Sequence, residues 1–394
     1  MDEVLNPYAP GAGSPPPELA GRKEVLDRAE IALKRIQVGR AAQSPILVGL
    51  RGVGKTVLLV RIRETAEELG YLTVSIEAHE GKPLPQLLIP SIKKLLHRMT
   101  GIEKAKEAAR TGLRVLKSFI NAIKVTIGDF DYGLSIDPER GVADSGDIES
   151  DLPDVLVSVA RAAKASERPI AIFIDELQYL SSNEFSALIM SMHQINQRSL
   201  PLIMIGAGLP QILGLAGNSK SYAERLFTFP NIGALAKDDA VAALQNPAKT
   251  EGAKFEAKAV DKILVATQSY PYFLQQWAYE SWNIAETNTI TENDVEAATI
   301  LAIEELDESF FKVRLDRCAP AEKKYMRALA ELGEGPHRSG EIADLLHVKV
   351  TSVAPTRNNL IKKGMVYSPS HGDTAFTVPL FDDYMRRQIP KMEK

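Results

Sequence analysis

Short apolar runs alternate with longer amphipathic segments over residues 1–230. The run Ile170–Ile174 is apolar throughout, which is typical of a strand buried on both faces of a parallel sheet. Strands that alternate with helices in this way predict an α/β fold with a doubly wound parallel sheet. The predicted strands are Ile46–Val48, Leu72–Ile76, Ile170–Ile174, Leu202–Gly206 and Leu226–Phe229.

An insertion at about residues 81–150 interrupts this alternation. We expect helices at 85–99 and 103–123, then a β-hairpin that pairs Lys124–Gly128 with Tyr132–Ile136. An acidic loop over 137–150 completes it. Residues 1–230 are therefore assigned to one α/β domain that carries a helical and hairpin insertion.

The pattern changes after Pro230, where apolar positions recur at helical spacing. We assign residues 231–316 to a helical lid. Thr291 and Asp294 resemble a capping box for its last helix. The predicted lid helices are Ala236–Gln245, Ala257–Gln268, Tyr272–Ala285 and Glu292–Phe311.

Residues 317–394 form a third predicted unit. Three helices, at 321–332, 340–346 and 352–363, precede a hairpin with a polar tip at Ser370–Asp373. Ser339 is the expected N-cap of the second helix. This arrangement resembles a winged helix, closed by an amphipathic helix at 381–387.

Composition narrows the class of protein. The chain has 394 residues, 45% of them hydrophobic and 25% charged, as in ordinary globular proteins. The single cysteine, Cys318, excludes an intrachain disulfide and a cysteine-based zinc site. No apolar run reaches membrane-spanning length, and the acidic N-terminus is no signal peptide, so we expect a cytoplasmic protein with no membrane partner.

Residues Gly49–Thr56 read Gly-Leu-Arg-Gly-Val-Gly-Lys-Thr, the spacing of a phosphate-binding loop without a mismatch. A predicted strand precedes the loop and a predicted helix follows it, so backbone N–H groups and a helix N-terminus favour an anion there. We expect Lys55 to reach the β- and γ-phosphates and the Thr56 hydroxyl to bind Mg²⁺. The motif predicts a nucleoside triphosphate as ligand; the alternative is a chance match in a turn.

Two acids, Asp175 and Glu176, directly follow the apolar run 170–174. We expect Asp175 to hold Mg²⁺ and Glu176 to polarise the water that attacks the γ-phosphate. A strand end capped by solvated acids is the alternative, but the phosphate loop upstream favours catalysis.

Together these motifs resemble an AAA+ ATPase of the group that contains origin-recognition initiators and STAND signalling ATPases, over roughly residues 5–310. Asn6-Pro7-Tyr8 and Leu19-Ala20-Gly21-Arg22 are similar to the N-terminal box that contacts adenine in that group. The resemblance implies ATP or ADP with Mg²⁺ as ligands, and Thr56 and Asp175 as metal-binding residues. The nucleotide-binding residues that we assign are Tyr8, Gly21, Arg22, Gly49, Arg51, Gly52, Val53, Gly54, Lys55, Thr56, Val57 and Pro271.

Two stretches depart from the family pattern. The family carries a polar first sensor after the fourth strand, where this chain reads Gly206-Ala207-Gly208. The family carries a second sensor, an arginine, at the start of a lid helix, where this chain reads Ser269-Tyr270-Pro271-Tyr272, similar to the proline-containing lid motif of the STAND branch. We therefore expect slow, switch-like hydrolysis.

Arg225 lies just before the last predicted strand, about where initiator-type AAA+ proteins carry an arginine finger. The resemblance implies that it stabilises transition-state charge in a neighbouring subunit, with self-association through the ATPase domain. A solvated arginine paired with Glu224 or another acid is the alternative. The catalytic residues we assign are thus Lys55, Glu176 and Arg225.

The C-terminal unit carries a local positive charge on a chain of net charge −4. Residues 347–363 contain four lysines and arginines and no acid, so we expect contact with double-stranded DNA. A winged helix that contacts only protein is the alternative. The residues we assign to DNA contact are Lys349, Thr351, Ser352, Thr356, Arg357, Asn358, Lys362 and Lys363.

Two functions follow. The first is an ATP-controlled DNA-binding AAA+ ATPase. The second is a STAND-like signalling or scaffold switch, in which an unknown protein partner opens a nucleotide-closed chain. A small-molecule phosphotransferase is a third class, but the sequence has no acceptor-site signature.

Overall fold

Strands and helices alternate in the N-terminal part of the chain, as predicted. The computed structural model describes residues 1–11, 16–127, 136–219, 223–370 and 372–391. The elements up to Thr228 are α1 (Lys23–Gln37), β1 (Ser44–Val48), α2 (Lys55–Glu68), β2 (Leu72–Glu77), α3 (Leu84–Thr100), α4 (Lys106–Ile127), α5 (Ile148–Ala165), β3 (Ile170–Asp175), α6 (Ser182–Gln197), β4 (Leu202–Gly208), α7 (Ile212–Ser219), α8 (Ala223–Leu226) and β5 (Phe227–Thr228).

The five strands form one parallel sheet in the order β2-β3-β4-β1-β5, which confirms the predicted sheet. Successive residues of a strand face opposite sides. Ile46 of β1 accordingly joins the core on the side of α3 to α6, whereas Leu47 joins the core on the side of α1 and α2. Because helices cover both faces, the inner strands β1, β3 and β4 are buried along almost their whole length, whereas the edge strand β2 exposes Ser75 and Glu77.

The insertion between β2 and β3 differs from the prediction. Helix α4 continues to Ile127, so the strand predicted from Lys124 is wrong as far as that residue. Ile120 and Ile123 of α4 are buried at helical spacing, and the helix continues through the β-branched residues that suggested a strand. Residues 128–135 of the predicted hairpin lie outside the described part of the chain.

The lid region consists of helices and a two-stranded parallel sheet. Its elements are α9 (Lys237–Thr250), β6 (Lys254–Phe255), α10 (Ala257–Thr267), α11 (Pro271–Ile284), β7 (Thr289–Ile290), α12 (Glu292–Glu305), a π-helical turn at Leu306–Phe311 and α13 (Lys312–Asp316). Thr291 and Asp294 form the predicted capping box on α12. The predicted fourth helix, Glu292–Phe311, thus consists of α12 and the π-helical turn.

The C-terminal region contains helices and a three-stranded antiparallel sheet. Its elements are α14 (Pro320–Glu331), β8 (His337–Arg338), α15 (Ser339–Leu345), α16 (Val350–Lys362), β9 (Val366–Tyr367), β10 (Asp373–Phe376) and α17 (Phe381–Gln388). The sheet order is β8-β10-β9. Arg338, not Ser339, occupies the N-cap of α15, because the Ser339 hydroxyl donates to the Gly372 carbonyl across the sheet.

One hydrophobic cluster joins all three regions. It contains Ile205 of β4, Trp277 of α11, Tyr325 of α14 and Leu360 of α16, all at most 1% exposed. The lid and the C-terminal region therefore pack on the α1 and α2 side of the sheet, beside the loop that follows β1. No helix among the described residues is long and apolar enough to cross a membrane.

Candidate nucleotide site

The loop between β1 and α2 has the backbone shape of a phosphate cradle. Gly54 adopts a left-handed conformation (φ 90°), which an L side chain rarely takes, and α2 begins at the next residue. No side chain of the described residues caps this helix, so its first N–H groups remain open to an anion.

A hydroxyl and a carboxylate meet beside this loop. Thr56 Oγ1 donates to Asp175 Oδ2 at 2.6 Å, across the gap between α2 and β3. Burial is the main cause of a raised pKa for Asp175, and the hydrogen bond from Thr56 opposes it. Hard oxygen ligands of this kind suit Mg²⁺, so the residues present fit the metal that the loop motif implies.

Lys55 is buried next to these groups, with 8% of its surface exposed. Its Nζ donates to the Leu50 carbonyl at 2.8 Å. Burial lowers the pKa of Lys55 to about 8, although nearby Glu176 and Asp175 raise it. A cation held at reduced solvation is ready to pair with phosphate oxygens.

Glu176 has both carboxylate oxygens engaged. Arg51 Nη1 lies 3.4 Å from Oε1, and Gln178 Nε2 donates to Oε2. Arg51 also donates to the Tyr179 hydroxyl at 3.0 Å. The backbone of Glu176 is left-handed (φ 55°), a sparsely populated state that is concentrated at functional sites. The acid is therefore held in a defined orientation.

A cavity of about 440 Å³ lies over the loop. It receives residues from the N-terminal segment, the phosphate loop, the start of α11 and the turn before α13. The predicted nucleotide residues in its lining are Arg22, Arg51, Gly52, Val53, Gly54, Lys55, Thr56, Val57 and Pro271, joined by Glu176. A cavity of this size suits a nucleotide-sized ligand.

The lid closes one side of the cavity. The backbone N–H of Tyr272 donates to the Gly52 carbonyl at 3.2 Å, so the start of α11 is tied to the loop. Tyr272 stacks on Phe310 at 4.8 Å between ring centroids, and the Arg314 guanidinium lies 3.8 Å over the Phe310 ring. Arg314 lines the cavity, and burial lowers its pKa to about 10.

Tyr8 and Gly21 of the predicted adenine box do not line this cavity, which corrects their assignment to nucleotide binding. Tyr8 is 2% exposed, and its hydroxyl donates to the Leu244 carbonyl of α9, so it packs within the lid core. Gly21 lies against Asp239. Arg22, by contrast, lines the cavity and donates to the Val53 carbonyl of the loop at 3.3 Å.

Arg225 lies away from the cavity, on the short helix α8 before β5. It is exposed, and its backbone carbonyl accepts from Gln43 Nε2 at 3.3 Å. The structure does not bring it near Lys55 or Glu176 of its own chain. Any role in phosphate chemistry would require a second subunit.

The predicted DNA surface is only partly free. Arg357 donates to Thr374 Oγ1, Ser368 Oγ and the Asp373 carbonyl, so it ties α16 to the hairpin. Lys363 pairs with Glu322 at 2.7 Å. These two assignments therefore need correction, since both cations have internal partners. The exposed members of the predicted set are Lys349, Thr351, Ser352, Asn358 and Lys362, with Thr356 half-buried.

Sequence reasoning missed three side chains near Glu176. Gln178 and Tyr179 follow it in the chain, and Arg314 arrives from a segment remote in sequence. Gln178 and Tyr179 were detectable as polar groups next to the acid pair. Arg314 could not be predicted in the same way, because the spacing of apolar residues does not reveal the π-helical turn that places it at the cavity.

Comparison with known families agrees with this architecture. Residues 18–205 match the family described as AAA ATPase domain. Residues 308–385 match a family described as a domain of unknown function (DUF8462). No curated protein matches the chain. The family match supports ATP binding, with the usual Mg²⁺, in the N-terminal half.

Solved structures resemble the chain in fold. The Walker-type ATPase Paby2304 of Pyrococcus abyssi has a TM-score of 0.56 at 17% identity, over 93% of this chain and 96% of that one. The Orc1 protein of Aeropyrum pernix, solved in complex with DNA, scores 0.47 at 16% identity over 95% and 94%. Cdc6p of Pyrobaculum aerophilum scores 0.45 at 14% identity over 99% and 98%. The likeness to Paby2304 is a likeness of fold.

Proposed function

We propose that the chain is a slow ATPase whose nucleotide state controls self-assembly and the binding of duplex DNA by a C-terminal winged helix. One observation carries this proposal: the phosphate loop contacts the C-terminal unit directly. The backbone N–H of Arg51 donates to the Thr377 carbonyl at 3.1 Å, and Arg51 Nε lies 3.5 Å from the Gly364 carbonyl.

Thr56 and Asp175 would hold the metal in this proposal. When bound, Mg²⁺ withdraws charge from the phosphate oxygens. Lys55 pairs with the same phosphates, and Arg314 adds a second cation from the far wall of the cavity. Arg314 would thus supply the positive charge that the second-sensor arginine supplies in the family and that is missing at the start of α11.

Glu176 is the residue that accepts a proton from the attacking water. In the structure its Oε1 faces Arg51 instead, at 3.4 Å. An arginine in the loop is attracted to a triphosphate as well as to an acid. Turning Arg51 toward phosphate would therefore free Glu176 and, at the same time, change the contact with Gly364.

Because Arg51 contacts both Glu176 and Gly364, a change of nucleotide would affect how the C-terminal unit is held. A second cavity of about 530 Å³ adjoins the first, and Arg51, Glu176 and Arg314 line both. Its far wall is formed by Lys363, Gly364 and other residues of the C-terminal unit. A ligand that favours one arrangement of Arg51 shifts the population of the docked unit.

The test is a gel-shift assay on random duplex DNA with ATP, with ADP and without nucleotide, at two salt concentrations. We expect binding that depends on nucleotide and weakens steeply with salt, since phosphate contacts release counterions. Binding that ignores nucleotide, or no binding in any state, would contradict the DNA part of the proposal.

A second candidate is a switch whose C-terminal unit contacts a protein partner. The internal bonds of Arg357 and Lys363 favour it, because they remove two cations from the DNA surface. If the chain is such a switch, ADP should copurify tightly with it. The gel-shift assay should then show no binding of DNA. The gel shift therefore separates the two.

A further inference from the structure

The end of β4 holds glycines where a polar side chain was expected. A Cβ on Gly206 would lie 2.3 Å from Leu177 Cδ1, and a Cβ on Gly208 would lie 2.1 Å from Ile212 Cδ1 and 2.6 Å from Gln178 Oε1. At these distances the neighbouring side chains would have to shift to admit a Cβ. The space beside the end of β4 is therefore filled by Leu177 and Gln178, which follow Glu176 in the turn after β3, and by Ile212 of α7.

Gln178 uses this space to bridge β4 and the acid. Its Oε1 accepts from the Leu209 backbone N–H at 3.0 Å, and its Nε2 donates to Glu176 Oε2. The amide orientation follows from its partners, because a backbone N–H can only donate and a carboxylate can only accept. The bridge runs from the rigid sheet edge to one specific oxygen.

We propose that Gln178 is a positioning residue that stands in for the polar side chain absent from β4, and that it selects which oxygen of Glu176 serves the water. This inference rests on the proposed ATPase function. Gln178 is anchored to the sheet, whereas Arg51, which faces the other oxygen, belongs to the phosphate loop. Oε2 therefore stays with Gln178, and Oε1 becomes free when Arg51 turns away.

The chemical step balances with this assignment. The water oxygen forms a bond to the γ-phosphorus as the bond from that phosphorus to the ADP oxygen breaks. The proton of the water passes to Glu176 Oε1 and then leaves to phosphate or solvent. If the Glu176 carboxylate could rotate freely, neither oxygen would be held toward the attacking water. Misplacement of a reacting group lowers the rate.

Two substitutions separate positioning from packing. Gln178→Met keeps the shape and loses both hydrogen bonds. Gln178→Glu keeps an acceptor for the Leu209 N–H but faces Glu176 with a like charge. We expect the turnover number to fall about 10- to 100-fold in Gln178→Met and further in Gln178→Glu, with ATP affinity within about 3-fold of wild type.

A third variant disturbs Gln178 without changing it. Gly208→Ala places a methyl group against Gln178 Oε1 and Ile212 Cδ1, and we expect a loss of turnover similar to that of Gln178→Met. Gly214→Ala is the matched control, because a Cβ at that glycine meets no atom within 4 Å. Melting temperatures of all four variants report on folding separately from turnover.

The decisive measurement is a double-mutant cycle with Glu176→Gln, with turnover and ATP affinity measured for each member. In the Glu176→Gln background, Gln178→Met should not lower the turnover number any further. Equal effects in both backgrounds, or higher turnover in Gln178→Glu than in Gln178→Met, would overturn the inference while leaving the ATPase proposal intact. Absence of turnover in wild type would overturn both.

Discussion

Arg51 and Thr377 are joined by a main-chain hydrogen bond of 3.1 Å, although they lie in different regions of the chain. The side chain of Arg51 meanwhile reaches Glu176 at 3.4 Å. One residue of the phosphate loop thus contacts both the candidate catalytic acid and the C-terminal unit. A ligand that draws the Arg51 side chain toward phosphate would therefore alter its contacts with Glu176 and with the Gly364 carbonyl.

Replacing Arg51 by Met should loosen the C-terminal unit in the absence of nucleotide. The variant loses hydrogen bonds to Gly364, Tyr179 and Glu176, and bonds to charged groups each contribute about 1.5–3 kcal/mol. We expect amide hydrogen exchange over residues 364–377 to accelerate about 10-fold. Arg61→Met, which breaks an exposed ion pair on α2, is the control. Equal protection in Arg51→Met and wild type would contradict the coupling.

Replacing Lys55 by Ala should abolish useful nucleotide binding. Its buried side chain belongs to the first residue of α2, whose N–H groups are open, and a charged hydrogen bond contributes about 1.5–3 kcal/mol. The dissociation constant for ATP, measured by calorimetry, should rise by at least about 10- to 100-fold. Lys34→Ala, at an exposed ion pair on α1, should leave it unchanged. Normal affinity in Lys55→Ala would place the nucleotide elsewhere.

Replacing Glu176 by Gln should separate binding from hydrolysis. Loss of a general base lowers rates about 10²- to 10⁴-fold, whereas the neutral amide leaves the cavity wall in place. Turnover should fall by that factor, and ATP affinity should stay within about 3-fold. Glu64→Gln on exposed α2 is the control. Retained turnover would show that another group handles the water.

The parallel sheet and the phosphate loop were predictable because both depend on local pattern. Apolar runs specify buried parallel strands, and the spacing of Gly49–Thr56 specifies the turn between strand and helix. The pairing of Thr56 with Asp175 follows, since the carboxyl ends of all the parallel strands meet at one edge, although β4 lies between β1 and β3.

The sequence-based predictions that were wrong concerned features that depend on tertiary contacts. The β-branched residues at 125–127 favour a strand by propensity, but α4 continues past the buried residue Ile123 to Ile127. Charge counting selected Arg357 for DNA, yet its hydrogen bonds to Thr374 and Asp373 depend on a hairpin register that composition does not reveal. Similarly, the bridge through Gln178 becomes visible only when β4 is placed beside it.

The exposed lysines Lys349 and Lys362 should carry phosphate contacts if the C-terminal unit binds DNA. Replacing both by Ala should lower affinity and reduce the slope of log affinity against log salt by about 2, at 0.9 per phosphate contact. Lys249→Ala with Lys258→Ala removes the same charge from exposed lid positions and controls for net charge. An equal loss in both double variants would indicate a general charge effect instead of a binding surface.

Arg225 provides the last test, because an arginine finger acts on a neighbouring subunit. Arg225→Ala should bind ATP normally but hydrolyse it about 10³-fold more slowly, as loss of such a charge does elsewhere. Mixing it with Glu176→Gln should restore turnover, since one variant supplies an intact acid and the other an intact finger. Arg40→Ala, another exposed arginine, should behave as wild type. If the mixture stays inactive while wild-type turnover is independent of protein concentration, Arg225 is a solvated surface residue and the ATPase works as a monomer.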